Sequence, residues 1–310
     1  MSLSIIWIVS RNQRLNEILY PTYIQAQRAH DNEAGLLESM KTTSRSPEET
    51  DGLTLHCGDE HQIFERAQRC SRPTDLIVSP VELHQRNIQR RLREAGRSKD
   101  TFSFGDPVEI AIDLCTAANH DTTTIDRIDR LTLLRSILNA QSAEAQREIS
   151  LPPEYAGVDP QPVEQLRTEV ETATNFHPER IAAWRETATT LDAPVNHDTN
   201  AILDSAIQTE QALRDRTGNA ISETELLRRA TRSIQETDGS VWDATYPHIE
   251  RLSLVGVSSL SAPHTDLVHA MLAATSVDVH IHFRAGTGEY LTNRVNELLG
   301  VEDPGREVFE

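Results

Sequence analysis

Leu53-Thr-Leu-His-Cys-Gly-Asp-Glu-His-Gln-Ile-Phe-Glu-Arg-Ala-Gln-Arg-Cys70 sets an apolar run, a glycine and a helical pattern in immediate succession. Leu53 to Cys57 predicts a short buried strand, Gly58 a tight turn, and the spacing from about Gln62 an amphipathic helix. Strand, glycine turn and helix is the geometry that aims backbone N–H groups at a phosphate. The phosphate chemistry itself is missing. In register with G-x-x-x-x-G-K-[ST], Gly58 takes the first glycine, Ile63 the second, Phe64 the lysine and Glu65 the hydroxyl that would hold magnesium. A carboxylate at that place repels a triphosphate.

Outward from this stretch the alternation repeats. Asp75-Leu-Ile-Val-Ser79 predicts a second buried strand ended by Pro80, and residues 81–95 a helix with Leu83, Ile88 and Leu92 on its apolar side. Arg86, Arg90, Arg91 and Arg93 line the other side, and Gly96 stops the helix. Thr101-Phe-Ser-Phe104 predicts a third strand, and Asp106-Pro107 caps the next helix. Repeated strand–loop–helix units of this length imply a parallel, doubly wound sheet. Residues 123–248 show no strand pattern. Ile125, Ile128, Leu131, Leu134, Ile137 and Leu138 recur at helical spacing, and further helices are expected around 161–175, 178–191, 198–216 and 222–236, with Asp198 and Ser222-x-x-Glu225 as N-caps. Strands resume at 251–257 and 277–283, flanking a helix over 263–274, and a last helix is expected over 290–299. The expected organisation is therefore an N-terminal arm and linker over 1–52, an α/β region over 53–122, an all-helical insertion over 123–248, and the rest of the α/β region over 249–310. Within the arm, 5–9 reads as a strand, Leu15 to Ile24 as helical and 42–52 as a flexible linker.

The formal charge is −18, and Lys41 and Lys99 are the only lysines among 30 basic residues. An acidic surface nearly without lysine has the look of adaptation to extreme salt, so the charge reports on the host's cytoplasm before it reports on a partner. It therefore does not exclude nucleic acid. Cys57, Cys70 and Cys115 show no C-x-x-C spacing, which suits a reducing cytoplasm and neither a disulfide framework nor a zinc site. The apolar run at 5–9 is too short to span a bilayer and lacks signal-peptide flanks, so no membrane association is expected.

This order resembles the N-terminal, helicase-like region of the AddB-type component of the ATP-dependent helicase–nucleases, related to the superfamily-one (UvrD/Rep-like) DNA helicases. The stretches that carry the resemblance are 53–70 at the phosphate-loop strand and helix, DLIVSPVELHQRNIQRRL from Asp75 to Leu92, the Thr101-Phe102 strand, DRIDRLTLLR from Asp126 to Arg135 opening the helical insert, and 248–283 at the second nucleotide motif. It spans roughly 53–300 and rests on order and pattern. It implies a P-loop NTPase-like parallel sheet with an all-helical insertion. In the family an acidic residue ends the strand of the second motif. Here Leu254-Val-Gly-Val-Ser-Ser-Leu-Ser-Ala-Pro263 puts Val255, followed by Gly256, at that place. Without that carboxylate magnesium has no protein-held anchor and no group positions the attacking water. Two losses in one ATPase site point away from hydrolysis and from any nucleotide or other cofactor, and three scattered cysteines cannot build the family's iron–sulfur set.

The resemblance implies single-stranded DNA at the strand ends near Ser79 and Thr101-Phe102, where a hydroxyl can hold phosphate and a ring can stack on a base. Arg86, Arg90 and Arg91 would add phosphate contacts, and a helicase or nuclease subunit is the protein partner implied. The same residues also read as a core phenylalanine and a solvated helix face. A rival function is a metal-dependent hydrolase built on His280 and His282, since H-x-H on a strand puts both imidazoles on one face and resembles the metal-binding strand of amidohydrolase barrels. Those barrels need ligands far downstream, and no metal is expected on this ground. His56-Cys57 with His61 is disfavoured as a zinc clamp, because neighbouring strand residues point to opposite faces. An interaction-only protein without DNA affinity is the other rival.

Overall fold

The computed structural model describes residues 48–50, 52–58, 61–70, 72–79, 81–143, 149–152, 155, 159–191, 195–218, 222–257, 260–284 and 299–309. The expected elements at 5–9 and 15–24, and all but the last residue of the helix expected over 290–299, lie outside them.

Strands β1 (Glu48–Thr50), β2 (Leu53–Gly58), β3 (Asp75–Val78), β4 (Ser103–Gly105), β5 (Arg251–Val257) and β6 (Asp278–Arg284) form one sheet in the order β1-β2-β6-β5-β3-β4. From β2 to β4 every pairing is parallel, so the protein is an α/β fold with a P-loop-like five-stranded parallel sheet. The last strand among the described residues, β6, lies between β2 and β5. One expectation needs correcting. The end of the 42–52 linker is not loose, because β1 pairs antiparallel with β2 in the register Thr50↔Leu53. Gly52, just before β2, takes φ +76, a conformation that suits a tight turn.

Helices cover both faces, which is why the strands read as nearly continuous apolar runs. On one face Leu53, Leu55, Leu76, Leu252, Leu254, Val279 and Ile281 pack under α3 (Pro107–Ala117), α8 (Glu223–Glu236), α9 (Ser240–Thr245) and α10 (Ala262–Ala274). On the other, Ile77 and Val255 pack under α1 (His61–Arg69) and α2 (Glu82–Glu94). Arg66 of α1 fixes that helix to the sheet with two hydrogen bonds of 3.0 Å to the buried Asp75. The helix ends follow their local chemistry. Asp106 and Glu109 form a reciprocal capping box around Pro107. After α2, Gly96 at φ +72 lets Arg97 N–H reach Leu92 O and Gly96 N–H reach Arg93 O, a Schellman closure.

Between β4 and β5 all the regular elements among the described residues are helical: α3, then α4 (Arg127–Ala143), α5 (Pro160–Thr174), α6 (Pro178–Thr189), α7 (Val195–Thr217), α8 and α9. Ser222 caps α8 by accepting from Glu225 N–H, as expected. Asp198, expected as an N-cap, instead falls in the first turn of α7, which begins at Val195. A buried ion network ties α5, α7, α8 and the segment after 299 together. Arg167 donates to Glu164, Glu171 and Glu210 at 3.0, 2.9 and 2.8 Å. Arg228 donates to Glu171 at 3.0 Å and Glu225 at 3.1 Å, and Arg214 holds Glu307 at 2.9 and 2.7 Å. Burial pushes the Glu210 carboxyl up, but Arg167, Arg214 and Arg228 outweigh it and hold it at about 2.

Candidate functional site

The carboxyl ends of the parallel strands are where this architecture exposes a crevice. β3 leads into α2 on one face and its neighbour β5 leads into α10 on the other, so the chain diverges between them.

At the position expected for a phosphate loop, Gly58 takes φ +100, a conformation only glycine adopts without strain. The helix that follows turns its first residues elsewhere. Ile63 is buried against the sheet, Phe64 lies under the Arg91 guanidinium at 4.2 Å, and Glu65 is half exposed with its carboxylate 3.2 Å from His61. Phe64 and Glu65, the residues expected at the lysine and magnesium positions, offer neither a cation nor a hydroxyl. At the stretch expected to be the second motif, Val255 is fully buried in a cluster with Ile63, Ile77, Ile88, Leu92 and Phe102. Gly256 follows at φ +69 in a bulge, where the β5–β6 register slips between Val255 and Val257. A Cβ on Gly256 would lie 2.7 Å from the His84 ring, so the start of α2 sits directly on this backbone.

The residues expected to meet DNA divide into two groups. Ser79 is 1% exposed and its hydroxyl exchanges 3.3 Å hydrogen bonds with the Val81 backbone. Thr101 lies in a 3-10 turn, Lys99–Thr101, and not in a strand as expected, because its hydroxyl donates to Ser98 O at 2.8 Å; the strand begins only at Ser103. Phe102 is 3% exposed, edge-on to Phe104 at 6.5 Å, so here its ring is a core side chain and offers no face to a base. Arg86 and Arg90 behave differently. They stand on the solvent side of α2, paired with Glu82 and with Glu94 at 2.7 Å one turn away. Gln85 ties α2 to the end of β4 by donating to Gly105 O at 2.6 Å.

A second constellation was legible only in part. His280 and His282 share a face of β6, and the register Thr54↔His280, His56↔His282 brings His56 of β2 onto the same face. His56 Nε2 and His280 Nδ1 are 2.8 Å apart in a hydrogen bond, and the His56 and His282 rings stack at 4.2 Å. Burial, then Arg251, lowers the His56 pKa, and burial with Arg251 and His56 takes His280 to about 3. His282 falls well below the usual value through burial, then His56 and His280. All three are therefore neutral at pH 7. Cys57 points to the opposite side, and His61 stands on α1 facing Glu65, so neither joins them. What the sequence could not supply was the pairing of β2 with β6.

Among the described residues no helix is long and apolar enough to cross a membrane. No curated protein matches the chain. A family model described as "Halobacterial UvrD-like protein" matches residues 39–310, which covers the sheet, both helical layers and all the residues above. The chain belongs to the halobacterial UvrD-like protein family, a helicase-like family.

Proposed function

We propose that this protein is a helicase-like lobe without ATP hydrolysis, related to the AddB-type component of helicase–nucleases, that serves as a DNA-binding component in the processing of broken DNA. In this reading residues 53–122 and 249–310 make up the lobe, 123–248 the inserted helical subdomain, and 1–52 an arm. The observation that carries it is Val255. The position where a magnesium-anchoring carboxylate would stand is a fully buried valine in an apolar cluster, while Phe64 and Glu65 replace the lysine and hydroxyl of the other motif. Magnesium and the γ-phosphate then lack the side chains that these two positions would supply. With Phe102 and Ser79 turned inward, the contact surface for a strand is the arginine side of α2. Arg86 and Arg90 are 68% and 58% exposed, and their partners are solvated carboxylates whose hold is worth only about 0.5 kcal/mol, so phosphates can compete for them.

Two measurements test this. The purified chain is expected to release no phosphate from ATP with or without single-stranded DNA. DNA-stimulated hydrolysis that falls when Gly58 or Glu65 is changed would overturn the loss of ATPase chemistry. Fluorescence anisotropy with a labelled oligothymidine over a salt series is expected to show binding that weakens steeply with salt, and Arg86→Glu with Arg90→Glu should flatten the slope by roughly one for each phosphate no longer neutralised. No binding at low salt would leave an interaction protein without DNA affinity.

A further inference from the structure

We propose that His56, His280 and His282 form a binding site for one divalent transition-metal ion of the zinc class. The sheet register puts the three imidazoles side by side, two on β6 and one on β2, and one ring nitrogen from each lies within 4.8 Å of the others. The His56 and His280 rings are 12° from parallel with centroids 5.1 Å apart and are joined nitrogen to nitrogen at 2.8 Å, the arrangement of two nearly coplanar rings sharing one proton. That proton marks the point on which two lone pairs converge. Replacing it with a cation at Zn–N bonds of about 2.0–2.1 Å needs the nitrogens roughly 3.3 Å apart, an opening of about half an ångström that small side-chain rotations supply.

Among the described residues, Nδ1 of His56 and Nδ1 of His282 are buried without a hydrogen-bond partner, and the two residues are 8% and 5% exposed. A buried ring nitrogen left so is destabilising, and a coordinate bond to His282 Nδ1 removes the deficit at that ring, whereas His56, binding through Nε2, keeps its Nδ1 unpaired. Three imidazoles and no thiolate or carboxylate select zinc, cobalt, nickel or copper over magnesium and calcium. The Arg251 and Arg66 side chains work against a cation here, and the Asp75 carboxylate, itself paired with Arg66, works for it. Three ligands leave a fourth position for water or a ligand oxygen. The ion would also clamp β2 to β6, two strands joined late in the sequence.

The test uses the full chain, stripped by dialysis against a chelator and titrated with Zn²⁺ or Co²⁺ alone. The expected result is one equivalent retained through gel filtration, a visible Co²⁺ spectrum of the four- or five-coordinate kind, and a melting temperature that rises with added metal. His56→Gln and His282→Gln, checked for fold by circular dichroism, should each bind at least about tenfold more weakly. If these buried variants do not fold, His280→Gln, at a half-buried position, decides by the same criterion. No retained metal in the unmodified chain, or an equivalent unchanged in affinity in the variants that fold, overturns the proposal.

Discussion

Gly256 meets two separate demands, a φ of +69 in the β5 bulge and the His84 ring 2.7 Å from where a Cβ would stand. Gly256→Ala should therefore cost about 1–3 kcal/mol for the backbone alone, with a steric addition from His84. Denaturant unfolding of Gly256→Ala, His84→Ala and the double variant separates them, since removing the ring should recover only the steric part and the losses should be less than additive. A Gly256→Ala midpoint equal to that of the unmodified chain would rule out both demands. Phe102 carries the other expectation at this scale. At 3% exposure its replacement by alanine should cost about 3–5 kcal/mol, and an unfolding curve that does not move would return the ring to solvent and to DNA. Thr-Phe at a strand start is compatible with a stacking ring or a core ring, and only the packing of Phe104, Ile88 and Val255 around it distinguishes them. Gly58 was legible because a glycine between an apolar run and a helical pattern has few other uses. The His56 contribution was not, because its partners lie 224 and more residues downstream.

Helix ends were the most legible elements. Asp106-Pro107 with Glu109, Ser222 with Glu225, and Gly96 all act over a few residues, so their meaning is written locally. The buried ion network is the opposite case. Arg167 and Arg228 read as ordinary helical arginines, and only the meeting of α5, α7 and α8 encloses them with glutamates. Arg228→Met should cost about 3–5 kcal/mol, because Glu171, Glu225 and Glu307 would stay buried with less compensation, and thermal or urea unfolding reads the loss directly. Acid attacks the same place. The Glu210 carboxyl is held at about 2 against an ordinary 4.5, so its contribution is complete above 4.5 and disappears as pH falls through about 2. A stability–pH profile with no decline below 4.5 would contradict that hold.

At the scale of the whole molecule the charge of −18 is self-repulsive, and its effect depends on screening. The Debye length grows from about 3 Å in 1 M salt to about 30 Å in 0.01 M, so the melting temperature should fall as salt is withdrawn. A melting temperature flat across that series would detach the acidic surface from stability. Composition alone made this behaviour legible. The strand order was less so: alternating strands and helices announced a parallel sheet, but nothing local says that β6 belongs between β2 and β5, since that choice rests on Val279, Ile281 and Phe283 filling a gap both neighbours leave. The gap has a history during synthesis. While residues 278–284 are still inside the ribosome, β2 and β5 each present an unpaired row of backbone N–H and C=O groups, and the centre of the sheet is a vacant slot. The nascent chain is then most open to a chaperone, or to a wrong strand, until β6 emerges, and the event that completes the sheet is an insertion into its middle.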